Sequence, residues 1–118
     1  MQNKSGSYRQ QRVANLINAA IVEYFNKGKL LDSRLIGTPF TITKLVVSAD
    51  LKVADCYLIP FNTTLSIAEI LDALYSSKYA IRAYVTDKVA LKYSPKIRFF
   101  YDQGFENARM VDQLLGGT

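Results

Sequence analysis

Apolar residues recur along the first quarter of the chain with a helical period. Val13, Leu16, Ile17, Ala20, Ile21, Tyr24 and Phe25 stand at i, i+3, i+4, i+7, i+8, i+11 and i+12, the spacing that draws one stripe along one face of a helix. Arg9, Arg12, Asn15 and Asn18 fall off that stripe. Ser7, with Gln10 three residues on, forms a capping box that predicts the start of the helix, because the hydroxyl and the amide satisfy N–H groups that a first turn leaves unpaired. Gly28 predicts its stop.

The period then changes. Leu30 to Pro39 reads as a loop punctuated by Gly37 and Pro39. Thr41 to Ser48 is rich in β-branched residues and suits a strand. Val53 to Phe61 alternates with a period of two: Ala54, Cys56 and Leu58 point one way, Asp55, Tyr57 and Ile59 the other. The intervening Ser48-Ala49-Asp50-Leu51-Lys52 predicts an antiparallel hairpin. A second capping box, Ser66 with Glu69, opens a second helical stripe of Ile67, Ile70, Leu71 and Leu74. The stripe breaks at Ser76-Ser77 and resumes as Ile81, Tyr84, Val85 and Val89, a third helix. Pro95 closes that region, because proline disfavours helical backbone in the residue before it. Lys96 to Tyr101 alternates as a last strand, with Ile97, Phe99 and Tyr101 on the inward face and Lys96, Arg98 and Phe100 on the other. Asn107 to Leu115 reads as a further short helix before Gly116-Gly117. The order α-β-β-α-α-β makes the fold class α+β, a helical layer on one face of a three-stranded sheet.

Composition narrows the setting. With 118 residues, about half of them apolar, the chain suits one domain over 1–118, with 1–6 and 116–118 expected as flexible ends. No apolar run reaches the roughly 18 residues of a membrane-spanning helix. Met1 to Gln11 is polar and has no signal-peptide core. A single cysteine, Cys56, excludes an internal disulfide, and its place in the alternating strand assigns it to packing. Together these features predict a reducing, cytoplasmic setting without a membrane partner.

Charge changes the picture more. The net charge is +5. Between Ser76 and Arg98, six cations (Lys78, Arg82, Lys88, Lys92, Lys96 and Arg98) meet one acid, Asp87, whereas the nine basic and nine acidic residues elsewhere cancel. The whole excess sits in one short stretch, the footprint expected of a polyanion-binding surface. The bland alternative is a solvated basic face. Lys88 fits the footprint least well, because it projects into the Ile81–Val89 stripe; it must snorkel past the core or mark where the helix leaves it. Phosphate neutralisation is therefore assigned to Lys78, Arg82, Lys92, Lys96 and Arg98, with Arg9 and Arg12 assisting if the first helix lies alongside.

The chemistry that is missing points the same way. There is no histidine, so the commonest general base and metal ligand are absent. The carboxylates show no metal-ligand spacing, and no phosphate-cradling glycine motif occurs. The expectation is a protein that is not an enzyme, with no cofactor, metal or small-molecule substrate. Aromatic residues are interleaved with the cations: Tyr79, Tyr84, Tyr93, Phe99, Phe100 and Tyr101. Such rings can stack on unpaired bases while the cations meet phosphates. Tyr84 and Phe99 fall on inward faces and read as core, which leaves Tyr79, Tyr93 and Phe100 as the freer rings.

The element order is that of the type II KH fold. Arg12-Val13, Asp32-Ser33-Arg34-Leu35, the stretch from Ser48 to Ala54, Ile81-Arg82, and Pro95 followed by Phe99-Phe100-Tyr101-Asp102 resemble the bacterial ribosome-binding factor A family, over about Arg9 to Asp112. The resemblance implies a KH-like domain that binds the immature small ribosomal subunit, helps to mature the 5′ end of its rRNA and supports growth in the cold. It also implies a kink between the second and third helices, formed in the family by Ala-x-Gly and here by Ser77-Lys78-Tyr79, with tyrosine at the glycine position. The expected partner is the small subunit and its rRNA, with a monomer off the ribosome. From other classes, the same residues suit a protein-interaction module that uses Tyr57 and Phe100 on the open sheet face, or a permanent ribosomal protein with a basic surface.

Overall fold

The computed structural model describes residues 7–27, 33–35, 40–61 and 63–104. The ends at 1–6 and 116–118, the stop at Gly28, most of the 30–39 loop and the helix expected at 107–115 lie outside the described residues. Helix α1 (Tyr8–Lys27) starts at its capping box: the Gln10 N–H donates to Ser7 Oγ at 3.1 Å, and the Ser7 N–H donates to Gln10 Oε1 at 2.9 Å. The Gln10 amide also donates to the Val47 carbonyl at 2.9 Å, which ties the start of α1 to the hairpin end of the sheet. Inward lie Val13, Ala14, Ile17, Ala20, Ile21 and Tyr24. Leu16 is a correction: expected on the stripe, it is 43% exposed, and Ala14 is buried instead. At about 100° per residue the buried set centres close to Ile17, and Leu16 lies roughly 100° from that centre, on the rim.

Strands β1 (Phe40–Val47) and β2 (Val53–Pro60) pair antiparallel, and β3 (Lys96–Tyr101) runs parallel to β2 on its other side. The β1–β2 register slips between Ile42 and Lys44, so Thr43 is the extra residue of a bulge; its hydroxyl donates to the Tyr57 carbonyl at 3.3 Å. The hairpin turn is closed by Asp50, whose Oδ1 accepts from the Ser48 hydroxyl at 2.7 Å and the Lys52 N–H at 3.0 Å. These bonds, the Ser48 hydroxyl first, hold the Asp50 carboxyl below its ordinary pKa. Leu51 in this turn has a φ of 62°.

After β2, the Ser66–Glu69 capping box forms with both of its reciprocal bonds and opens α2 (Ile67–Ser76). Helix α3 (Lys78–Val89) follows after one residue. That residue is Ser77, at φ −96° and ψ 3°, with its N–H donating to the Ala73 and Leu74 carbonyls at 3.2 and 3.1 Å. The break thus falls on Ser77 alone, and Lys78 and Tyr79 are already helical. Tyrosine at the glycine position is accommodated because the bend needs no left-handed backbone there: among the described residues, the positive-φ non-glycine residues are Leu51 and Ala90.

All three helices cover one face of the sheet. Ala54, Cys56 and Leu58 of β2 and Ile97 of β3 join Ile17 and Ile21, Ile70 and Leu74, and Ile81 and Val85 in one core. The alternation of β2 therefore holds, with Ile59 the exception: it belongs to the face of Asp55 and Tyr57, yet is only 4% exposed. Tyr84 and Phe99 pack against the core as expected. Cys56 is fully buried, and desolvation pushes its thiol up to about 12, so it stays protonated and packs as a small apolar group. Among the described residues no helix is long and apolar enough to cross a membrane. The α+β architecture, α-β-β-α-kink-α-β, is KH-like of type II.

Helix α3 ends at Ala90, which adopts the left-handed region at φ 57° and ψ 45° while its N–H donates to the Thr86 carbonyl at 3.0 Å. A Cβ disfavours that conformation, and glycine relieves it. Ala90→Gly should therefore stabilise the fold by about 1 kcal/mol, read as a higher urea midpoint with unchanged slope.

Candidate nucleic-acid interface

The break at Ser77 sets the end of α2 and the start of α3 beside the outer strand β3, and a groove of about 740 Å³ lies there. Tyr75, Lys78, Tyr79 and Arg82 line it from the helices, and Lys96, Arg98 and Phe100 from β3. Leu71, Ile97 and Phe99 complete the lining, which contains no acidic residue. Four of the cations singled out from charge placement thus converge on one concave surface, interleaved with four aromatic rings.

Each cation is held differently. The Lys78 Nζ lies 3.8 Å from the centroid of the Tyr75 ring and 5.1 Å from that of Tyr79, an ammonium between two aromatic faces. The neighbouring Tyr75 phenol raises the Lys78 pKa despite desolvation, so the charge is fully present at neutral pH. The rings stay accessible: Tyr75 is 64% exposed and Tyr79 70%. Arg82 donates from Nε to Ser94 Oγ and from its NH2 group to the Ser94 carbonyl, both at 2.9 Å. It therefore fastens the α3–β3 loop to α3, with guanidinium donors left over for a phosphate. Lys96 is exposed and makes no ion pair among the described residues.

Arg98 is less free than its place on the outward face suggested. It forms a two-pronged pair with Asp55 of β2, Nε to Oδ1 at 2.7 Å and NH2 to Oδ2 at 2.9 Å, and these bonds raise its pKa. Lys88 is likewise engaged: it snorkels past the stripe to Glu23 of α1, 3.6 Å away, over the Tyr84 ring. Two of the six cations in the basic stretch are thus balanced by acids distant in sequence. Among the described residues, the groove cations without an acidic partner are Lys78, Arg82 and Lys96.

Three assigned residues lie outside the groove lining. Lys92 is in the α3–β3 loop, and Arg9 and Arg12 are exposed on the first turns of α1. Tyr75 went unassigned, although its place three residues before Lys78 is the spacing at which side chains meet along a helix, here across the break. Lys52 was also missed, because it stands outside the basic stretch; its backbone carbonyl accepts from the Lys96 N–H at 2.8 Å. The open sheet face carries a row of its own: Tyr57 and Phe100 stack with centroids 5.2 Å apart, and the Lys44 Nζ lies 4.6 Å from the Tyr57 centroid. Among the described residues there is no group of His, Cys, Asp and Glu that could hold a metal ion.

Known proteins resemble this chain in sequence and in fold. A family model described as ribosome-binding factor A matches residues 9–115. The ribosome-binding factor A of Rickettsia felis is 56% identical over 112 residues, which cover 95% of this chain and 93% of that protein. The crystal structure of ribosome-binding factor A from Thermus thermophilus shares the fold, with a TM-score of 0.65 at 20% identity over 78% of this chain and 94% of that one. A homology model of Thermus thermophilus ribosome-binding factor A, fitted into the cryo-EM map of a 30S complex with that factor, gives a TM-score of 0.58 at 18% identity, over 81% of this chain and 93% of that one. The chain belongs to the ribosome-binding factor A family.

Proposed function

We propose that this chain is a non-enzymatic assembly factor that binds the small ribosomal subunit by laying its groove on rRNA. On this reading it acts in the cytoplasm as a monomeric, single-domain protein and assists late maturation, including processing of the rRNA 5′ end, in support of growth in the cold. The observation that carries the reading is the convergence of Lys78, Arg82, Lys96, Tyr75 and Tyr79 on one surface with no acid in its lining. Cations there neutralise phosphates, and the accessible rings offer faces to bases. The family's name and the relative fitted into a 30S complex supply the target.

The Tyr57–Phe100 stack on the open sheet face supports a second reading, a docking surface for a protein. Co-sedimentation separates the readings. An assembly factor should travel with free small subunits and leave translating ribosomes; a permanent ribosomal protein should stay with both, and an adaptor with neither. Salt adds a second discrimination. Binding through phosphates weakens steeply as salt rises, whereas binding through the Tyr57–Phe100 face changes little.

A further inference from the structure

A second set of cations and an aromatic ring lies beyond the groove, at the hairpin end of the sheet. Tyr93, in the α3–β3 loop, is 58% exposed. The Lys92 Nζ lies 5.4 Å from its ring centroid, and the Lys52 Nζ, from the hairpin turn, 5.8 Å. Nothing in the core requires this ring, since Tyr93 is absent from the buried residues and from those packed against them. Asp50, two residues before Lys52, is turned into the hairpin by its bonds to Ser48 and Lys52.

Two hydrogen-bond links join this cluster to the groove. Arg82, in the groove lining, grips Ser94, the residue after Tyr93. Lys96, also in the lining, donates its N–H to the Lys52 carbonyl at 2.8 Å. Groove and cluster are therefore neighbours, with Tyr75, Lys78 and Tyr79 in the groove and Tyr93, Lys52 and Lys92 beyond the Arg82–Ser94 and Lys96–Lys52 links.

We propose that Tyr93, Lys52 and Lys92 form a second nucleotide step for the same RNA strand that fills the groove, and that this strand is unpaired. The inference rests on the groove being the rRNA surface. Three exposed rings, Tyr75 and Tyr79 sharing the Lys78 ammonium and Tyr93 with those of Lys52 and Lys92, match the recurring unit of single-stranded RNA, a base face followed by a phosphate. A duplex offers no such match, because its bases are stacked on one another and only its backbone and shallow groove are accessible. The α3–β3 loop then does more than connect α3 to β3. Arg82 holds it so that Tyr93 stands in line with the groove.

The test uses free small subunits and 2′-hydroxyl acylation, which reports unpaired rRNA nucleotides. The wild-type protein should protect one contiguous unpaired stretch. Tyr93→Ala combined with Lys52→Gln should re-expose one end of that stretch and weaken binding about tenfold or more. Tyr93→Phe, which keeps the ring, should behave as the wild type. The groove variant Lys78→Ala/Lys96→Ala should re-expose the remainder of the stretch. If the Tyr93/Lys52 variant keeps full affinity and protection while the groove variant loses both, the second step is overturned and the groove reading stands. If neither variant changes, the groove reading falls as well. Protection confined to paired nucleotides, seen as no change at unpaired positions in a subunit that still binds, overturns the single-strand inference.

Discussion

Replacing Lys78 and Lys96 together by alanine should lower affinity for free small subunits about 30-fold at roughly 0.1 M salt, and should flatten the salt dependence by about two phosphate contacts. Each phosphate contact contributes about 0.7–0.9 to the slope of log affinity against log salt, so two contacts remove about 1.4–1.8. These two lysines are the right pair because neither holds the fold together. Lys96 is exposed, and Lys78 rests on surface rings. Arg82 is the poorer choice despite its place in the groove, since its removal also releases Ser94 and the loop that follows α3. Stability of the double variant should move by no more than about 1 kcal/mol. Circular dichroism and a urea titration establish this before affinities are compared. Unchanged affinity and slope in the folded double variant would remove the groove as the rRNA surface.

The second large effect concerns the fold. Ile81→Ala should cost about 2–5 kcal/mol, a major share of the roughly 5–15 kcal/mol that stabilises a domain of ordinary size. Ile81 is fully buried where α3 meets the common core, and its truncation leaves a cavity that Ile17, Ile21 and Leu74 on neighbouring helices cannot readily fill. The urea midpoint should fall by about 1–2 M. Tyr79→Ala, two residues earlier on the same helix and 70% exposed, should shift stability by about 0.5 kcal/mol or less while weakening subunit binding. That contrast separates the two faces of α3. If Ile81→Ala leaves the midpoint in place, the packing of α3 onto the sheet is wrong.

The fold was legible where a local rule acts alone. Both capping boxes formed because a hydroxyl and an amide or carboxylate three residues apart meet within one turn, whatever surrounds them. The strand alternation placed Ala54, Cys56 and Leu58 inward because a side-chain period of two follows from the pleat. Leu16 was misplaced because periodicity finds the centre of a stripe better than its rim. The apolar pattern breaks at Ser76-Ser77, which holds the bend residue Ser77, whereas the resemblance extends the kink over Lys78 and Tyr79, which are already helical. The candidate site was half legible. Charge counting located the basic stretch, and four of its cations line one groove. It could not foresee that Asp55, more than forty residues away in sequence, would pair with Arg98, or that Glu23 would meet Lys88. Such pairs depend on strand register and helix packing. The same register brings Lys52 beside Lys96, which no local pattern signals.

Photocrosslinking from the groove tests the rRNA assignment most directly. With p-benzoylphenylalanine in place of Tyr79, irradiation of the complex with free small subunits should join the protein to rRNA. The same group in place of Val22, exposed on α1 outside the groove, should not. Crosslinks from position 79 that reach only ribosomal proteins, or equal rRNA crosslinking from both positions, would contradict the groove as the surface that meets rRNA.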